Sequence, residues 1–220
     1  MEAKYHRHQR LLETRQALVL AAARRVLVRK GLDGLSMREI AHEAGYTPGA
    51  LYAHFRNKQD VVAGLLDEAL ARAHQAVQAL RPAAALPDQA LVLQGEAWMQ
   101  FWLQHPHDLD LLLHGCSRRG TQAWPVERVA QVQTQLRLGL QPLARALASL
   151  GLDAATLQSE VDGMLAQGLG LLLAWQANAA TPAATPDAQF AQYLRRVWAD
   201  RDPSSGSRAP QASAQVDLFG

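Results

Sequence analysis

The sequence predicts an all-α protein of about nine helices: an N-terminal three-helix helix-turn-helix domain, then a C-terminal helical domain for ligand binding and dimerisation. Three observations carry this. Ala, Leu and Gln dominate, and runs of β-branched or aromatic residues are absent. Apolar residues recur at three and four between capping residues and glycine or proline stops. The stretch Ser36 to Lys58, SMREIAHEAGYTPGALYAHFRNK, reads as two short helices, a tight turn between them, and the start of a third. That layout places a short helix in the major groove of DNA.

Residues 1–13, with Lys4, His6, Arg7, His8 and Arg10, read as a flexible basic arm that reaches phosphates or the minor groove, or as plain disorder. Thr14 to Lys30 is the first helix, with Leu18, Ala22, Val26 and Leu27 at helical spacing and Gly31 as its stop. Ser36 caps the second helix, and Glu39 three residues on completes a capping box. Ile40, Ala41 and Ala44 share a face, and Gly45 ends the helix. Thr47 caps the third, with Pro48 in its first turn, where a missing N–H does no harm. Leu51 and Phe55 point into a core, leaving Gly49, Ala50, Tyr52, Ala53 and His54 to cover the rest. Asn57 caps a long fourth helix to Leu80, with Asp60 three residues in and a stripe of Val61, Leu65, Leu66 and Leu70.

Arg81 to Pro87 is a break. Asp88 to Gln104 is a helix, ended at His105-Pro106-His107 because proline disfavours helical geometry in the residue before it. A short helix covers Asp108 to His114, and Gly115 to Pro125 is irregular. Val126 to Leu150 is a long helix open to a kink at Gly139 and Pro142, stopped by Gly151. Asp153 to Ala177 is another, then a loop to Pro186 and a last helix from Asp187 to Ala199. Residues 202–220 have the composition of a disordered linker. The expected division is a DNA-binding domain at 14–58 and an effector-binding and dimerisation domain at 59–201.

Charge is split. Residues 1–58 hold 11 Lys/Arg against 5 Asp/Glu, and residues 59–220 hold 11 against 15, which together give the net +2. A basic end that contains the helix-turn-helix is the electrostatic footprint of a phosphate-binding module, or simply a solvated tail. The single Cys116 excludes an internal disulfide and suits a reducing cytoplasm. The first dozen residues are too polar for a secretory leader, and no apolar run is long enough for a membrane helix. There is no nucleophile elbow, phosphate loop or carboxylate pair at catalytic spacing, so neither a catalytic residue nor a cofactor is expected. His105, His107, Asp108, Asp110, His114 and Cys116 raise the question of a metal, with His107 and Asp110 three apart. No CxxC or HExxH pattern accompanies them, and no metal is expected. Cys116 beside Arg118 and Arg119 is either an acidified thiol or an ordinary one.

TPGALYAHFRNKQDVVAGLL resembles the DNA-binding signature of TetR/AcrR-type transcriptional repressors, matching at Thr47, Leu51, Tyr52, His54, Phe55 and Lys58. Upstream, ALVLAAARRVLVRKGLDGLSMREIAHEAG resembles that family's first two helices, including Gly31 and the run Arg38-Glu39-Ile40-Ala41. The resemblance spans residues 17–66. It implies a homodimer that binds a palindromic operator in double-stranded DNA and responds to a small apolar effector. A helical interaction protein, or a small helical enzyme with a vestigial helix-turn-helix, is the alternative.

Thr47, Gly49 and Ala50 lie at the end of the third helix that meets base edges; Thr47 also serves as the cap, and the two small residues favour close approach. Tyr52 and His54 take the phosphate-donor role that the resemblance implies, although the Tyr52 ring can also fill a gap beside the first helix. Lys58 opposes the dipole of its helix, which makes sense if a phosphate is its partner. Arg38 is a further contact to phosphate or guanine. Trp98, Met99, Phe101, Trp102, Trp124 and Met164 suit an apolar effector pocket and equally suit an ordinary core. Val161, Leu165, Gly168, Leu172 and Trp175, with Phe190, Leu194 and Val197, are candidates for a four-helix dimer interface, for packing within the subunit, or for both.

Overall fold

A computed structural model describes residues 2–80, 86–178 and 184–202. Among these residues there are helices and no strands. The elements are α1 (Glu2–Lys30), α2 (Met37–Ala44), α3 (Pro48–Tyr52), α4 (Lys58–Ala79), α5 (Pro87–Gln104), α6 (Pro106–Cys116), α7 (Arg118–Thr121), α8 (Val126–Gly139), α9 (Gln141–Ala148), α10 (Ala154–Gln176) and α11 (Pro186–Arg201).

Local chemistry sets most boundaries. Ser36 Oγ, Thr47 Oγ1, Asn57 Oδ1 and Asp153 Oδ1 each accept a hydrogen bond from an amide of the first turn they precede. Gly31, Gly45 and Gly151 adopt positive φ at helix ends, where a side chain would be strained. Three expectations change. α1 begins at Glu2, not Thr14, because residues 2–13 hold no glycine or proline and are rich in helix formers. Ser117 caps a short α7 inside the segment expected to be irregular. The long helix expected at 126–150 is two helices joined at Leu140, since Pro142 has no N–H for the ladder and its ring crowds the carbonyl four residues back. The expectations for the arm's side chains, and for the tail after Asp202, fall outside the described residues.

Val19, Ala23, Val26 and Leu27 of α1 close over Leu35, Ile40, Ala41, Leu51 and Phe55 to form the small N-terminal core. Leu18, expected on that face, is 57% exposed, and Val19 takes its place. α4 runs out of this unit and packs against α1, α5, α6 and α8. α5 is the centre of the larger body, flanked by α4, α6, α9, α10 and α11. There Trp98 packs edge-on to Trp102, tilted against Phe190, and directly over Gly168. A hydrophobic core this continuous ties the two parts together along α4.

Candidate nucleic-acid interface

The turn between α2 and α3 is fixed by backbone bonds. Gly45, in left-handed conformation, lets the amide of Tyr46 reach the carbonyl of Ala41 at 2.9 Å. Thr47 then caps α3 through Ala50 N at 3.3 Å, while Leu51 and Phe55 anchor its inner side in the core. What remains outside is a ledge of Thr47, Gly49, Ala50 and Tyr52, all exposed, with Tyr52 at 52%. A side chain added at Gly49 would meet nothing within 4 Å. Arg38 of α2 is exposed and forms no ion pair among the described residues. These five positions stand where the sequence reading puts them.

Two others do not. His54 is half-buried, not outward-facing: its ring packs edge-on to Tyr46 with centroids 6.1 Å apart, and its Nδ1 is shielded without a partner. Lys58 Nζ donates to the carbonyl oxygen of Leu32 at 2.9 Å, within the fold. One of the three ammonium donors at the head of α4 is therefore taken up by a loop carbonyl.

The basic character of this end is also less free than a charge count suggests. Glu43 of α2 grips Arg25 and Arg29 of α1, each at 2.5 Å. Hydrogen bonds from those two guanidinium groups pull the Glu43 carboxyl down to about 2. Lys30 pairs with Glu39 at 2.6 Å, Arg56 with Asp60 at 2.9 Å, and Arg24 with Glu68 and Asp108. Arg25, Arg29 and Lys30 thus join α1 to α2, and Arg24 joins α1 to α4 and α6. Arg25 and Arg29 stand four apart on one helix face, a spacing that could have revealed the clamp.

The other candidates divide clearly. Trp98, Met99, Phe101, Trp102, Trp124 and Met164 are all buried. Trp124 is placed beside Gly115 of α6 and beneath the Arg128 guanidinium, 5.8 Å from its ring. Six of the eight candidate dimer residues, Val161, Gly168, Leu172, Phe190, Leu194 and Val197, lie inside the subunit's own core. This is the packing within the subunit that the sequence left open beside a dimer interface: Gly168 is small where Trp98 and Phe190 seat on it. Leu165 is half-buried, and Trp175 is 46% exposed.

The histidine-rich segment does not converge. His105 stacks on Phe101 and bonds its carbonyl, His107 stands 4.0 Å from Asp110, and burial with the nearby charge of Lys58 pushes His114 below the usual imidazole value. No three metal-ligating side chains meet among the described residues. Cys116 is exposed as a residue, yet desolvation about its thiol pushes that group up to about 11, opposite to the acidified thiol its arginine neighbours suggest. No helix among the described residues is long and apolar enough to cross a membrane.

Residues 19–65 match the family model described as bacterial regulatory proteins, tetR family. The whole fold is similar to solved structures of such regulators. A tetR-family transcriptional regulator from Streptomyces coelicolor superposes with a TM-score of 0.64 at 18% identity, covering 88% of this chain and 82% of that one. Thermus thermophilus FadR, a TetR-family repressor solved with lauroyl-CoA, gives 0.63 at 16% identity, with 91% and 99% covered. A transcriptional regulator from Rhodococcus sp. RHA1 gives 0.62 at 21%, with 83% and 95% covered. Residues 19–65 thus match the tetR family's model, and the helical body that follows them shares the fold of solved tetR-family regulators.

Proposed function

We propose that this chain is a homodimeric, cytoplasmic repressor that binds a palindromic operator with an affinity that a small effector changes. The observation that carries the reading is the exposed ledge of small side chains on α3, capped by Thr47 and unobstructed at Gly49. A surface with so little side chain lets the helix backbone come close to base edges. Thr47 supplies a hydroxyl and a methyl for readout, while Tyr52 and Arg38 supply donors to phosphate. The DNA-binding unit is residues 14–58, and residues 59–201 form the effector and dimer body.

The dimer reading is supported by α10. From Gly163 to Ala177 that segment has no charged residue, and its outward side carries Ala166, Gln167, Gly170 and Leu173, the last 57% exposed. An exposed helix face without charge is stabilised by a partner that covers it. A second subunit there sets two recognition helices roughly 34–36 Å apart, one turn of DNA. For the effector, the buried aromatic and methionine cluster around α5 suits an apolar guest. FadR, similar in fold, was solved with an acyl-CoA bound.

Light scattering on the purified chain, followed by gel-shift titration against duplexes enriched from random-sequence DNA, tests the proposal. A dimer that enriches an inverted repeat is expected, with affinity falling steeply as salt rises. A monomer, or a chain that enriches no sequence at low salt, overturns it. Leu173→Glu is expected to yield folded monomers, because the side chain already meets solvent in the single subunit.

A further inference from the structure

Among the described residues Asp108 is the one charged side chain that is buried, at 3% exposure. It sits in the first turn of α6 and is held from two directions. Arg24 of α1 donates to Oδ1 at 2.8 Å, and Arg72 of α4 donates to Oδ2 at 2.7 Å. Arg24 also reaches Glu68 of α4 at 3.1 Å. One carboxylate therefore fastens α6 to the first helix of the DNA-binding unit and to the long helix that leaves it.

A buried carboxylate is tolerated only while it is paired, so these contacts do not loosen by degrees. If α6 moves, either α1 follows or the pair breaks. α1 in turn carries α2 through the Glu43 clamp, and α2 carries the capped turn into α3. At the far end of α6, Gly115 is seated tightly against Leu66 of α4, leaving no room there for a side chain. The helix is thus pinned at both ends to the elements that aim α3.

We infer that Asp108 is a positioning residue for DNA recognition: through Arg24 and Arg72 it ties the placement of α6 to the aim of the recognition helix, and so sets operator affinity without touching DNA. The inference rests on the regulator reading above. It differs from it in naming the joint at which the body of the protein acts on α3.

The test compares Asp108→Asn, Arg24→Gln and the double variant with the wild-type chain on the duplex that the wild type enriches. Arg137→Gln, which breaks a 2.8 Å pair to Asp162 between α8 and α10, is the control. Each variant at the α6 joint is expected to bind about tenfold more weakly, a typical size for coupling between sites. The double variant should be no weaker than the worse single one, because both remove the same link. The slope of log affinity against log salt should not change, since no phosphate contact is lost. A merely structural role would lower the melting temperature and leave the affinity of the folded fraction alone. Should Asp108→Asn fail to fold, Arg24→Gln decides alone, because Asp108 keeps Arg72 in that variant. Binding within twofold of wild type, tighter binding, or an equal loss in Arg137→Gln overturns the inference while leaving the regulator reading standing. A wild-type chain that enriches no duplex overturns both.

Discussion

Lys58 Nζ and the carbonyl oxygen of Leu32, 2.9 Å apart, join the first turn of α4 to the loop between α1 and α2. A hydrogen bond from a charged donor contributes more than a neutral one, and its loss here also leaves a loop carbonyl short of a partner. Lys58→Met is expected to lower folding stability by about 1–3 kcal/mol. The salt slope of DNA binding should stay where it was. Arg38→Gln should do the reverse, sparing stability and lowering the slope by about 0.9. Thermal melts paired with gel shifts at several salt concentrations check both halves.

Gly49 offers the sharpest separation of folding from binding. Nothing lies within 4 Å of the position a side chain would take. Gly49→Ala is expected to stabilise the chain by about 0.5–1 kcal/mol, by restricting the unfolded backbone. Gly49→Leu should fold as well as the wild type and lose operator binding, because the added bulk stands where the groove floor must come. Retention of full affinity by Gly49→Leu would mean that this side of α3 does not meet DNA.

Gly168 behaves oppositely. A methyl there would stand 2.6 Å from Cζ3 of Trp98, whose ring is itself packed against Trp102 and Phe190. Gly168→Ala is expected to cost about 1–3 kcal/mol despite the better helix propensity of alanine. Gly170→Ala, two residues on, meets open space within the subunit and should raise the melting temperature through the better helix propensity of alanine.

Acid should loosen the N-terminal unit in a way traceable to Glu43. Its carboxyl is held near 2 in the folded chain against an ordinary 4.5. A depressed carboxylate contributes fully above its unfolded value, and that contribution is lost as pH falls toward the folded one. The stability advantage of wild type over Glu43→Gln is therefore expected to be constant above about pH 5 and to shrink as pH falls through 4.5 toward 2. Melting curves across that range measure it.

What the chain reveals in one dimension follows from how far each interaction reaches. The caps at Ser36, Thr47 and Asn57 and the stops at Gly31, Gly45 and Gly151 rest on near neighbours in the chain, so they are legible, and with them the turn that presents α3. Helical spacing correctly marked Leu172, Phe190 and Leu194 as apolar. It could not say whether their own subunit or another would cover them, because periodicity names a face and not its partner. Asp108 passed as one polar residue among several at a helix start, since its partners lie 84 and 36 positions away. The carbonyl that Lys58 reaches belongs to a loop 26 residues earlier, beyond the span of its own helix.

The packing around Trp98 and Trp102 also bears on timing. Trp102, Met99 and Met164 are wholly enclosed, and Trp98 is nearly so. A guest lodging among them must wait for the rings to part, so its uptake rate should level off at high concentration to the frequency of that opening. Stopped-flow traces of indole emission would register the plateau directly.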